Sequence, residues 1–149
     1  MTDQNETSIL AFMTGDHRRC DDLYAEGEGA VVDGKMDSAK ELLSSFTDAL
    51  EKHLDMEEKV FFPAFTEATG MTAGPVQVML MEHEQMRSVL NNMREALEAG
   101  DKDQILGAGE TLVILMQQHN VKEEGILYPM IDQHLSGSSA ALIDQAKSI

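Results

Sequence analysis

The sequence predicts an all-α chain, an antiparallel up-down-up-down four-helix bundle built from two repeated helical hairpins. Three observations predict it. Apolar residues recur at three- and four-residue intervals over long stretches, and no segment reads convincingly as a strand. Glycine, proline and small polar residues interrupt those stretches in only a few places. Sliding the chain onto itself by 66 positions sets His17 on His83, Gly34 on Gly100, Asp37 on Asp103, His53 on His119, Glu57 on Glu123, Glu58 on Glu124 and Pro63 on Pro129.

The first helix is expected over about 14–32, with Leu23 on its apolar stripe. "VDGKMDS" then turns the chain, and Asp37 is a candidate N-cap for a second helix over about 38–62. Leu42, Leu43, Phe46, Ala49, Leu50 and Leu54 fall at core spacing along it, and Pro63 disturbs or ends its hydrogen bonding. "EATGMTAG" forms the midpoint linker, Pro75 suits the first turn of a third helix, and Gly100 suits that helix's C-terminus. A fourth helix follows over about 103–128 or slightly beyond. "SGSS" separates it from a short apolar tail, 140–149, that packs either on the bundle or on a second subunit. Connections this short join neighbouring antiparallel helices.

A chain of 149 residues is long enough for one domain with a continuous core and short for two, so a single domain over 1–149 is expected. No apolar run approaches the roughly 20 residues that cross a bilayer. The opening "MTDQNETSILAFM" has no basic region and only five consecutive apolar residues, which argues against a secretory leader and makes the cytoplasm the expected compartment. Cys20, the single cysteine, excludes an internal disulfide framework and any multi-cysteine zinc or iron–sulfur site. A net charge of −16 repels a phosphate backbone, so nucleic acid is excluded as a partner.

A lone histidine on an apolar face is most often a hydrogen-bonded core residue. Four in a repeated register, two of them with a glutamate one turn later, reverse that reading. An i, i+4 pair is separated by about 40° of rotation and about 6 Å of rise, so His53 with Glu57, and His119 with Glu123, each project toward one point. Glu58 and Glu124 lie about 100° further round and are read as outer-layer or surface groups. Burying four imidazoles and two carboxylates without a cation would leave polar groups unsatisfied and charge uncompensated.

His17, His53, Glu57, His83, His119 and Glu123 are therefore the candidate metal ligands. Six exceed what one tetrahedral zinc takes. Imidazole with bridging carboxylate suits two iron ions, with manganese or zinc as alternative occupants. The simplest arrangement has Glu57 and Glu123 as bridges and two histidines on each ion, leaving positions open to oxygen, nitric oxide or peroxide.

Other motifs fail. Glu-x-x-His, the ferritin-like signature, is absent, since Thr14, Leu50, Leu80, Met116 and Ile131 stand three residues before the histidines. "HEQMR", 83–87, has Arg87 where a zinc-protease helix needs its second His. No phosphate loop or nucleophile elbow occurs.

The set His17, His53-x-x-x-Glu57, His83 and His119-x-x-x-Glu123 resembles the hemerythrin-like HHE cation-binding domains, over roughly residues 9–135. The resemblance implies an antiparallel four-helix bundle around a non-haem di-iron centre with an oxo or hydroxo bridge. Members include oxygen carriers and sensors, iron sensors, and proteins that repair iron–sulfur centres after nitrosative or oxidative damage, which pass iron to a protein partner or reduce nitric oxide. Two departures separate this chain from the carriers: Arg87 replaces their second third-helix His, and Glu123 lies four residues after the final His where they have Asp at five. The four-His, two-Glu set is more similar to the repair proteins, although the cysteine-containing N-terminal domain of many of those is not read here. A non-catalytic iron or oxygen sensor is the alternative from another functional class.

Asp21 and Arg87 each follow a ligand histidine by four residues. Asp21 would add a carboxylate and Arg87 would pair with a bridging Glu or hold an anion; a salt bridge between the two is preferred. Cys20 and Tyr24, near His17, are read as core packing before redox neighbours. His134 lies about 22 Å along an unbroken helix from His119, too far to share the centre. The methionines fill core gaps, with Met81 or Met116 as candidate linings of a gas pocket.

Overall fold

The computed structural model describes residues 8–149; residues 1–7, which carry part of the leader reading above, lie outside it. The described residues are helical, with no strand among them. They run α1 (Ile9–Val32), α2 (Met36–Met56), π1 (Glu57–Phe61), α3 (Phe62–Thr69), α4 (Pro75–Ala99), α5 (Lys102–Lys122), π2 (Glu123–Leu127), α6 (Tyr128–Leu135) and α7 (Ser139–Lys147). The helices form a bundle: α1 packs along α2 and α4 along α5, while α2 faces α4 and α1 faces both α5 and α6.

The turns follow their residues. Gly34 and Gly100, equivalent in the repeat, have φ of 77° and 67°, a region that side chains with a Cβ rarely occupy. Asp101 caps α5 by accepting from the Gln104 N–H. Asp37, the expected cap of α2, is not one. The turn at Gly34 releases the chain into helix at Met36, so Asp37 falls in the first turn of α2, where its charge still suits the helix N-terminus.

Helix α1 begins five residues earlier than its periodicity indicates. Ser8 accepts from Ala11 N–H, and the Asp132 carboxylate on α6 accepts from Ile9 and Leu10 N–H at 2.8 and 2.9 Å. These acceptors satisfy amides that a helix start leaves open.

The prolines do not end their helices. Pro63 has no N–H to donate, and its ring crowds the preceding turn. Directly before it the chain widens into π1, where Phe62 N–H reaches back to Glu57 O. Tyr128 N–H does the same to Glu123 O before Pro129. Each helix then continues, as far as Thr69 and Leu135.

The core has two apolar clusters. One is built on Cys20, Tyr24, Leu43, Phe46, Leu50, Met86, Leu90 and Met116. The other is built on Ile9, Met13, Phe61, Phe65, Met79, Leu127, Tyr128 and Ile131, and the tail helix α7 joins it through Leu142, Ile143 and Ala146. The tail therefore packs on its own bundle. No helix among the described residues is long and apolar enough to cross a membrane.

Close helix packing yields a test. A Cβ on Gly27 of α1 would stand 2.4 Å from Leu43 Cδ2, whereas one on Gly107 of α5 would meet nothing within 4 Å. Gly27→Ala is expected to cost about 1–3 kcal/mol through overpacking. Gly107→Ala is expected to gain about 0.5–1 kcal/mol through reduced backbone entropy. Thermal unfolding of the two variants measures the difference, and shifts of the same sign would contradict this packing.

Candidate metal centre

Each long helix carries its histidine at the boundary between the two apolar clusters. Along α1 the buried order is Met13, His17, Cys20; along α4 it is Met79, His83, Met86. On α2 and α5 the histidine is followed one turn later by Glu57 or Glu123, at the first residue of π1 or π2. His17, His53, His83 and His119 are 0–4% exposed and Glu57 and Glu123 are 0% exposed, so the layer is closed to bulk solvent.

The inner edges converge. His83 Nε2 lies 3.0 Å from Glu57 Oε1, His17 Nε2 lies 3.1 Å from Glu123 Oε1, and His119 Nε2 lies 3.0 Å from Glu123 Oε2. Two donor groups result, each within 4.8 Å of mutual reach: Glu57, His83, His119 and Glu123; and His17, His53 and Glu123. Glu123 belongs to both, with one oxygen turned toward each. Glu57 directs its second oxygen to the Tyr128 hydroxyl, at 2.7 Å.

The outer edges are equally ordered. Nδ1 of His17 meets Glu124 at 2.7 Å, that of His53 meets Asp16 at 2.7 Å, that of His83 meets Glu58 at 2.6 Å, and that of His119 meets Glu82 at 2.9 Å. An ionised carboxylate only accepts, so each pins a hydrogen on Nδ1 and turns the Nε2 lone pair of a neutral ring inward. Glu58 and Glu124 thus form the outer layer expected of them. Asp16 and Glu82 were not anticipated, although both directly precede a candidate ligand and match each other across the repeat.

Electrostatics follows from this layering. Burial alone would lower the pKa of His119, but the nearby Glu123 and Glu57 carboxylates outweigh it and lift the ring to about 11. His17 and His83 are raised in the same way, against burial, by Glu123 and Glu57 respectively. Burial would raise Glu57, yet Glu123, His53, His119 and His83 together hold it well below the usual carboxylate range.

Arg87 does not meet Asp21. It bonds Glu51, Asp55 and Glu58, because Asp21 is exposed on α1 while three carboxylates of α2 and π1 surround the guanidinium. Cys20 and Tyr24 are core residues; burial, with Asp16 nearby, pushes the Cys20 thiol up to about 12. His134 is exposed and bonded to Met130 O. Met81 is also exposed, which removes it as a pocket lining, while Met116 is buried and borders a groove of about 730 Å³ between α1 and α5.

The Hemerythrin HHE cation binding domain family matches residues 8–131. The chain belongs to this hemerythrin family. No curated protein and no solved structure matches it.

A hemerythrin HHE domain implies bound cations, and the side chains fit them. His119 Nε2 and Glu123 Oε2 are buried and 3.0 Å apart, yet neither has a hydrogen-bond partner. Two acceptors facing each other in an apolar interior need either a proton or a cation between them.

This exchange sets the pH behaviour of the hemerythrin domain. The raised histidines stabilise the metal-free fold fully below their unfolded value of 6.5 and lose that contribution as pH climbs through their folded values, to about 11 for His119. Glu57, held low, contributes fully above 4.5 and loses it as pH falls through its folded value. Chelator-stripped protein is expected to melt highest between pH 4.5 and 6.5. Iron loading is expected to move that maximum upward, because metal displaces the protons. Melting curves across pH measure both, and an identical profile with and without metal would contradict the exchange.

Proposed function

We propose that this hemerythrin-family domain is a non-haem di-iron protein that binds or reacts with oxygen, nitric oxide or peroxide. The observation that carries the reading is the sharing of Glu123 between two buried donor groups. His17 and His53 would hold one ion, His83 and His119 the other, with Glu123 and Glu57 as bridging carboxylates in an antiparallel up-down-up-down four-helix bundle that forms a single domain. Manganese and zinc accept the same donor types, but six donors over two groups exceed one tetrahedral zinc, and imidazole with carboxylate suits iron.

Bound iron would supply a redox-active centre able to take a small ligand. The chain's own residues do the rest. The outer carboxylates fix ring orientation and raise the electron-donating power of each imidazole. The apolar clusters on either side keep bulk water from the layer. The groove bordered by Asp21, Tyr24, Met116 and Gln117 lies one helical turn from both His17 and His119, close enough to serve as an approach for a diatomic ligand.

Metal analysis and visible absorption of aerobically purified protein, beside a His53→Ala, His119→Ala variant, test this reading. About two irons per chain are expected. The visible bands of paired iron(III) should be present in the native protein and lost in the variant. Native protein without metal, or with zinc that the variant retains, would overturn the di-iron assignment.

A further inference from the structure

The two halves of the repeat differ at a position on the inner side of the metal layer. Phe62 in the first half corresponds to Tyr128 in the second. Phe62 stacks on His83, with ring centroids 5.7 Å apart at 26°. Tyr128 is fully buried and its ring lies beside His17, with centroids 5.6 Å apart. Its hydroxyl, however, reaches further in. Oη lies 2.7 Å from Glu57 Oε2, 2.8 Å from Glu123 Oε1, 3.2 Å from His17 Nε2 and 3.3 Å from His53 Nε2.

These distances have a common meaning. Donors that share a metal at bonds of about 2.1 Å in octahedral geometry stand about 3 Å from their neighbours. The four Tyr128 contacts cluster around that edge length, and so does the 3.1 Å between His17 Nε2 and Glu123 Oε1. A phenol that served only as a hydrogen-bond donor has one hydrogen, enough for one of the two carboxylates it touches.

We propose that Tyr128 Oη is a metal ligand that completes the His17, His53 and Glu123 group and makes the two metal positions chemically unlike. The inference rests on the di-iron reading above. Coordination replaces the O–H bond with an O–metal bond, and the proton is released as the metal binds. The other position has the Phe62 ring where a fifth donor would be, so the coordination left open to a small ligand lies on the His83 and His119 side. A hard anionic oxygen also favours iron(III) in the tyrosine position.

The chain contains two tyrosines, which makes the assignment testable. Iron-loaded protein is expected to show a phenolate-to-iron(III) charge-transfer band. Its resonance-enhanced ring vibrations should shift when the protein is labelled with ring-deuterated tyrosine. Tyr24→Phe should keep the band, since Tyr24 bonds Glu28 away from the layer, and Tyr128→Phe should lose it. If Tyr128→Phe does not fold, as judged by circular dichroism, the labelled wild type together with Tyr24→Phe decides the matter. Iron bound at about two per chain without tyrosinate vibrations would overturn the ligand proposal and leave the di-iron reading intact. Wild type that takes up no iron would overturn both.

Discussion

Two carboxylates buried in a helical core face imidazole nitrogens at about hydrogen-bond distance, and everything else in this protein is arranged around that contact. Moving a charged carboxylate from water into an apolar interior costs several kcal/mol unless opposite charge accompanies it. Glu57 and Glu123 are cut off from bulk solvent. Their compensation must come from imidazolium or from metal, and the four histidines supply ring nitrogens suited to either role. The fold is organised so that each of four helices contributes its histidine at the same level, between one apolar cluster and the next.

Order spreads outward from that layer. Each inner nitrogen is aimed by an outer hydrogen bond, and three of the outer carboxylates are themselves held by cations: Asp16 by Arg19, Glu58 by Arg87, and Glu82 by Lys122. The pairs are partly exposed, so each alone adds little to stability. Their consequence is positional, because a carboxylate held from outside holds its imidazole from inside. The π turns belong to the same design. They begin at Glu57 and Glu123, one per half, and let the chain pass a proline while Phe62 and Tyr128 are brought to the layer.

The helical class and the inner cluster were legible because both write themselves into residue spacing. The helical class follows from apolar periodicity, and the six candidate ligands follow from the repeat combined with the i, i+4 rise of a helix. What spacing could not convey was anything that depends on contacts between distant elements. Asp132 holding the start of α1 joins residues more than a hundred positions apart, so the first helix reads as shorter than it is. Arg87 looks inward by helical phase, yet the carboxylates on α2 and π1 draw it to the rim. The π turns could not be placed from Pro63 and Pro129 alone, because proline signals a disturbed turn without saying whether the helix ends or widens. Tyr128 was hidden for that reason: nine residues after His119, a regular helix carries it too far along the axis to suggest a shared site.

The central claim is that the histidine and glutamate layer is held together by two cations sharing Glu123. Anomalous diffraction at the iron absorption edge, from crystals of aerobically prepared protein, tests it most directly. The account requires two peaks, one among His17, His53 and Glu123 and one among His83, His119, Glu57 and Glu123. A layer without anomalous signal in iron-treated crystals, or iron found only at exposed positions such as His134, would contradict it.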